Sequence, residues 1–157
     1  MRITRFSDIG LRVLMYLAGA DQHRALVTVA EISTQFGIPA NHVVKVVGQL
    51  ARMGWIKALR GRKGGLVLHA DAASLRLGAV LRELEGDNEL VDCEGLQCGL
   101  RTECLLRGAL AAGLRAFYDA MDQYTLADIS GGPVGERIIT MHSAFLRSPV
   151  EVDLAMP

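Results

Sequence analysis

Between Thr28 and Leu68 the chain carries local signals whose order leaves few folds open. Thr28-Val29-Ala30-Glu31 has the form of a capping box, in which a threonine hydroxyl and a glutamate carboxylate satisfy each other's exposed amides at a helix start. The short helix it opens turns Ile32 and Phe36 inward and is broken by Gly37. Pro39 suits the first turn of a second helix, whose expected buried set is Val43, Val44, Val46, Val47, Leu50 and Met53; Gly54 ends it. Two strands are predicted next, Trp55 to Leu59 and Leu66 to Leu68, around the turn Arg60-Gly61-Arg62-Lys63-Gly64-Gly65. Its glycines permit a tight hairpin, and its cations crowd the tip.

Helix, glycine turn, helix and charged hairpin in that order describe a winged helix-turn-helix. On the second helix Asn41, His42, Lys45, Gln49 and Arg52 fall on the polar side, residue types that bond base edges and phosphates. Taken alone, such a face is an ordinary solvated one, and a charged hairpin tip is ordinarily just hydrated. In sequence they make a contact surface. The candidate DNA contacts are Thr28, Asn41, His42, Lys45 and Gln49 on the helices, with Arg60, Arg62 and Lys63 on the wing.

The formal charge of the 157-residue chain is zero, which by itself disfavours a nucleic-acid partner. That total conceals a division. Residues 1–65 hold ten Lys and Arg against three Asp and Glu, a balance of +7, and the remainder balances at −7. A split of this size points to a basic surface on the first part of the chain.

Elsewhere the pattern is simpler. Ile9, Val13, Leu14, Tyr16 and Leu17 recur at helical spacing from Ser7, the expected N-cap, to Ala20. Arg2 and Arg5 before an apolar stretch superficially resemble a signal peptide, but Asp8 and Arg12 interrupt it. No stretch is long and apolar enough for a membrane helix, so a soluble cytoplasmic protein is expected. With half its residues hydrophobic, the chain has one core's worth of apolar side chains, and collagenous or disordered classes are excluded. A helix is expected from Ser74 to Glu85, then an irregular loop rich in glycine and acids. Leu106, Leu110, Leu114, Phe117, Met121 and Tyr124 mark a long helix of roughly twenty residues, suited to dimerisation. The expected division is a winged helix-turn-helix domain at 1–86, a ligand loop at 87–104, a dimerisation helix at 105–127 and a tail of little fixed structure at 128–157.

All three cysteines, Cys93, Cys98 and Cys104, lie in that loop or at the start of the long helix, as C-x4-C-x5-C. An odd number in one loop argues against a disulfide framework. Three thiolates there can bind zinc or an iron-sulfur cluster, and spacing alone does not decide between them. The absence of paired C-x2-C hooks tilts the balance towards iron and sulfur. No nucleophile-base-orienter set is visible, so an enzyme is not expected, and a small redox carrier would leave the basic half unexplained.

The segments FSDIGLRVLMYLA, NHVVKVVGQLARMGWI, RGRKGG, the cysteine loop and YTLADI together resemble the bacterial winged-helix regulators that bind iron-sulfur clusters, over about residues 1–129. The likeness is greater to the nitric-oxide-sensing branch than to the cluster-biogenesis branch. Members of the latter carry a histidine ligand after the last cysteine, where this chain reads Cys104-Leu105-Leu106-Arg107. The resemblance implies a mainly α fold with a small β-hairpin wing. It also implies a homodimeric repressor of double-stranded operator DNA that responds to nitric oxide. Its cofactor would be a 4Fe-4S cluster, or a 2Fe-2S cluster, held by Cys93, Cys98 and Cys104 of one chain and Asp8 of the other. From its position alone, Asp8 is an acidic first-turn residue stabilising a helix dipole.

Overall fold

A computed structural model describes residues 2–21, 26–61, 64–86, 90–93, 95–100 and 102–148. The elements run α1 (Arg5–Asp21), α2 (Val29–Phe36), α3 (Ala40–Arg52), β1 (Ile56–Leu59), β2 (Gly65–Leu68), α4 (Leu77–Glu85), α5 (Leu105–Met121), α6 (Leu126–Ser130) and α7 (Gly132–Arg147). The fold is mainly helical with one antiparallel hairpin, as expected. Among the described residues no helix is long and apolar enough to cross a membrane.

Helix α1 is the axis of the core. Its Ile9, Val13, Leu14, Tyr16 and Leu17 are buried, and α3, α4, α6, α7 and β2 all pack against it. It begins earlier than Ser7: the Ser7 amide donates to Thr4 Oγ1 at 3.2 Å, so Thr4 is the capping side chain and Ser7 is a buried residue of the first turn. At the other end, a Cβ on Gly19 would press into Ile138 of α7, so this position lets the two helices approach.

In the helix-turn-helix, α2 is capped by Thr28, whose hydroxyl accepts from the Glu31 amide at 3.1 Å. Gly37 follows in the left-handed conformation (φ 60°), and its amide reaches back to the Ser33 and Thr34 carbonyls. On α3, Val43, Val46, Val47 and Leu50 are buried. The hairpin pairs Ile56 with Leu68 through to Leu59 with Gly65, and Val27 adds a third pairing beside Leu66 through amides at 3.2 and 2.7 Å.

Helix α4 begins at Leu77 rather than Ser74, because Asp71 draws residues 73–75 into a turn through the amides of Ala73, Ser74 and Leu75. It packs antiparallel on α5 through a charged junction. Asp122 Oδ1 accepts from the Ala79 amide at 2.8 Å, and Asp122 Oδ2 pairs with Arg82 at 2.6 Å. The Arg82 guanidinium holds the Asp122 carboxyl below its ordinary range. Arg82 also reaches Asp119 at 3.2 Å and lies over the Tyr118 ring.

Within 128–157, where little fixed structure was expected, the described residues 128–148 are largely helical, and residues 149–157 lie outside the described residues. Thr125 and Asp128 form a full capping box that starts α6. Gly131, Gly132 and Pro133, taken in the sequence as a break, are the N-cap and first residues of α7, since proline fits a first turn as well as it ends a previous one. Helix α7 turns Gly135, Ile138 and His142 inward against α1 and α2. Replacing Gly19 with valine is therefore expected to wedge α1 from α7 and lower the unfolding free energy by about 1–3 kcal/mol, measured by urea titration. Wild-type stability in this variant would mean that α7 contributes nothing to the core.

Candidate nucleic-acid interface and cysteine loop

The outward face of α3 carries Asn41, Val44, Lys45 and Arg52, with His42, Gly48 and Gln49 half-buried beside them. Val44 departs from expectation. It is 55 % exposed, because the helical period that buries Val43, Val46, Val47 and Leu50 points it between Asn41 and Gly48. An exposed valine on such a face offers an apolar contact of the kind a thymine methyl accepts. The α3 sequence contains no acidic residue.

The polar groups of this face are already ordered. Asn41 Oδ1 accepts from the His42 amide at 2.9 Å, securing the first turn. Arg52 donates to Gln49 Oε1 at 2.6 and 3.2 Å. Lys45 and His42 line a groove with Arg5, Phe6, Ile9 and Val46. A neighbouring groove is lined by Arg2, Arg5, Asp8 and Arg12 against the Gly37-Ile38 turn. Arg2 and Arg5 thus belong to the same basic surface as the helix-turn-helix, although sequence motifs did not single them out. Only their share in the +7 charge of residues 1–65 signalled them.

Thr28 is exposed but commits its oxygen to capping α2. On the wing Arg60 is exposed at the hairpin turn, while Arg62 and Lys63 lie outside the described residues.

The cysteine loop sits at the far end of α4. Cys93 is buried, Cys98 and Cys104 are half-buried, and no disulfide joins them. The Cys98 amide donates to the Cys93 carbonyl at 3.1 Å, and the Gly95 amide to Asp92 Oδ1 at 2.6 Å, so the first two cysteines share one tight turn. Gln97 occupies the left-handed region (φ 48°) within that turn. Cys104 is the N-cap of α5 but caps no amide with its side chain. Among the described residues, no three Cys, His, Asp or Glu side chains converge on a point that could hold a metal ion.

In kind, the donors suit a soft metal: three sulfurs within one short stretch, none consumed by a bridge. Asp8, the expected fourth ligand, stands elsewhere on α1 and pairs with Arg12 at 2.9 Å, both half-exposed. Large apolar side chains are uncovered around the loop, with Leu96, Leu100, Leu105 and Leu106 all more than 60 % exposed.

Comparison with known proteins places this architecture. Residues 3–131 match the model of the Rrf2 family, described as iron-dependent transcriptional regulators. The oxidized form of Staphylococcus aureus CymR is similar at TM-score 0.66 and 24 % identity, over 84 % of this chain and 98 % of that one. IscR of T. potens is similar at TM-score 0.66 and 19 % identity, over 82 % and 85 %. CymR, the global cysteine regulator of B. subtilis, is similar at TM-score 0.64 and 22 % identity, over 83 % of this chain and 96 % of that one. At these identities the structures establish a shared fold. The family match goes further: this chain belongs to the Rrf2 family and is a winged-helix, DNA-binding transcriptional regulator rather than an enzyme.

Proposed function

We propose that this regulator is a nitric-oxide-sensing repressor of the NsrR type. It works as a homodimer whose α3 helices enter successive major grooves of a pseudo-palindromic operator, the wings lying on the flanking minor groove or backbone. Asn41, His42, Gln49 and Val44 face the bases; Thr28, Lys45, Arg60, Arg62 and Lys63, joined by Arg2 and Arg5, meet phosphates. Cys93, Cys98 and Cys104, with Asp8 of the partner subunit, would hold a 4Fe-4S cluster, and 2Fe-2S is the variant form. Bound there, the cluster supplies iron that reacts with nitric oxide. The genes released from repression would be those for nitric-oxide detoxification.

The observation that carries this reading is the confinement of every cysteine of an Rrf2 winged helix to one unbridged loop. Asp8 gives that loop a route to DNA. In the single chain Asp8 Oδ1 pairs with Arg12, and a bond from this carboxylate to iron held by the partner's thiolates would weaken that pairing. Because α1 packs directly on α3, whichever use Asp8 takes is felt at the reading helix. The uncovered leucines around the loop and the start of α5 support a second copy as the cover.

A second reading, iron or cluster supply as the signal, has the family description in its favour. Anaerobic titration of the brown, cluster-loaded protein on operator DNA separates the two. Nitric oxide is expected to abolish binding under conditions where iron is retained; undiminished binding after nitrosylation would sink the first reading. Cys98→Ala is expected to lose visible absorbance, iron and sulfide while the folding free energy stays within about 0.5 kcal/mol. Loss of folding would instead make the loop a structural site. For the DNA face, Lys45→Ala should weaken every duplex alike and lower the salt slope by about one. Val44→Ser should change base preference at a single position and leave that slope alone.

A further inference from the structure

The side chain of Glu31 does not complete its capping box. It turns into the core, where it is 0 % exposed, and Oε1 accepts from the Tyr16 hydroxyl of α1 at 2.7 Å while standing 2.7 Å from His142 Nδ1 of α7. One carboxylate of the helix-turn-helix therefore ties together the core helix and the last helix. Tyr16 is itself fully buried, with Phe36 of α2 edge-on to its ring at 5.7 Å. Burial first, and then the Glu31 carboxylate, push its phenol well above the ordinary value, so it remains a donor. A second tie lies beside it, where Gln35 Nε2 donates to the Met141 carbonyl at 3.1 Å.

Helix α7 begins at Gly132, just beyond residue 131 where the family match ends. The family match therefore does not itself include the element that delivers His142. Docking it by apolar contact alone would need only Ile138 and its neighbours. Placing an imidazole on a buried carboxyl group makes docking conditional on geometry, since a buried polar group that loses its hydrogen-bond partner is penalised. Arg12 of α1 lies over the Phe36 ring, and the charged residues of α7, Glu136, Arg137 and Arg147, are all exposed.

We propose that Glu31 and His142 are positioning residues for DNA reading: they latch α7 onto α2 and so set the angle at which α2 presents α3. The proposal rests on the DNA-binding assignment and is independent of the signal that the cysteine loop receives. Undocking α7 would loosen α2 and reduce operator affinity without touching any DNA-facing side chain.

The test uses the full chain and a duplex selected by the wild-type protein from a randomised pool. His142→Asn keeps a hydrogen-bonding group near the Nδ1 position, whereas His142→Leu keeps only bulk. For His142→Leu, amide exchange should accelerate across both 132–147 and 29–36, and affinity should fall about tenfold, within the range of coupled sites; His142→Asn should restore both. Faster exchange confined to α7 with unchanged affinity would overturn the proposal, as would an Asn variant that folds yet behaves like Leu. If His142→Leu does not fold, Tyr16→Phe removes the other donor and must show the same joint change in smaller degree; no change there also overturns it. Failure to select any duplex would count against DNA binding instead, and the exchange measurements would still decide the latch.

Discussion

The rest of this molecule depends on the burial of α1. Five of its large side chains are almost wholly removed from water, and each such burial contributes about 1.5–3 kcal/mol before chain entropy is set against it. The second helix of the helix-turn-helix, the helix that leads to the cysteine loop and the helices that close the C-terminal side all pack on this one element. Against that apolar sum, the surface pair Asp8–Arg12 contributes no more than about 1 kcal/mol. The disparity matters for signalling. A carboxylate on a helix held this firmly can change partner without unfolding the helix, and a small displacement is transmitted through close packing to α3.

Helix α5 is held differently. None of its residues is fully buried, and its C-terminal end is fixed on α4 by Arg82, Asp119 and Asp122. Its N-terminal end carries Leu105 and Leu106 outward beside Leu96 and Leu100 of the loop. A polar anchor at one end and uncovered leucines at the other describe a helix completed by something outside the chain. In the proposed dimer α5 is the shared element, and the proposed fourth ligand depends on that dimer, whereas the dimer does not depend on the ligand.

What was legible in the sequence was whatever local chemistry alone decides. Thr28 caps α2, Gly37 takes the left-handed turn and the glycines of RGRKGG turn the hairpin, each through bonds between near neighbours. Glu31 defeated the same logic, because two tertiary partners, Tyr16 and His142, compete for its carboxylate and a backbone amide at the helix start has water as an alternative. Val44 was hidden by its neighbours: in a run of valines, composition cannot say which one faces out, and only the registry of Val43 and Val47 on α1 does. Helix α7 escaped notice because its inward stripe is Gly135, Ile138 and His142, a pattern with a single strongly apolar member. The cysteines were visible at once as a group, yet the described residues of one chain do not bring them to a common point, since spacing constrains reach and leaves convergence to the fold.

The division of charge along the chain takes its meaning from these placements. Of the three acids in residues 1–65, Glu31 is buried in the core, Asp8 is paired with Arg12, and Asp21 stands at the end of α1. None of the three lies on α3. On α3 itself Lys45 and Arg52 therefore have no acidic neighbour, and beside Arg2 and Arg5 the acid is Asp8, which is paired with Arg12. In the later part, several acids serve structure: Asp122 and Asp119 fasten α4 to α5, Asp128 caps α6, and Asp92 closes the turn of the cysteine loop. A net charge of zero is compatible with salt-dependent DNA binding because none of the acids lies on α3 and several of them serve to join or cap other helices.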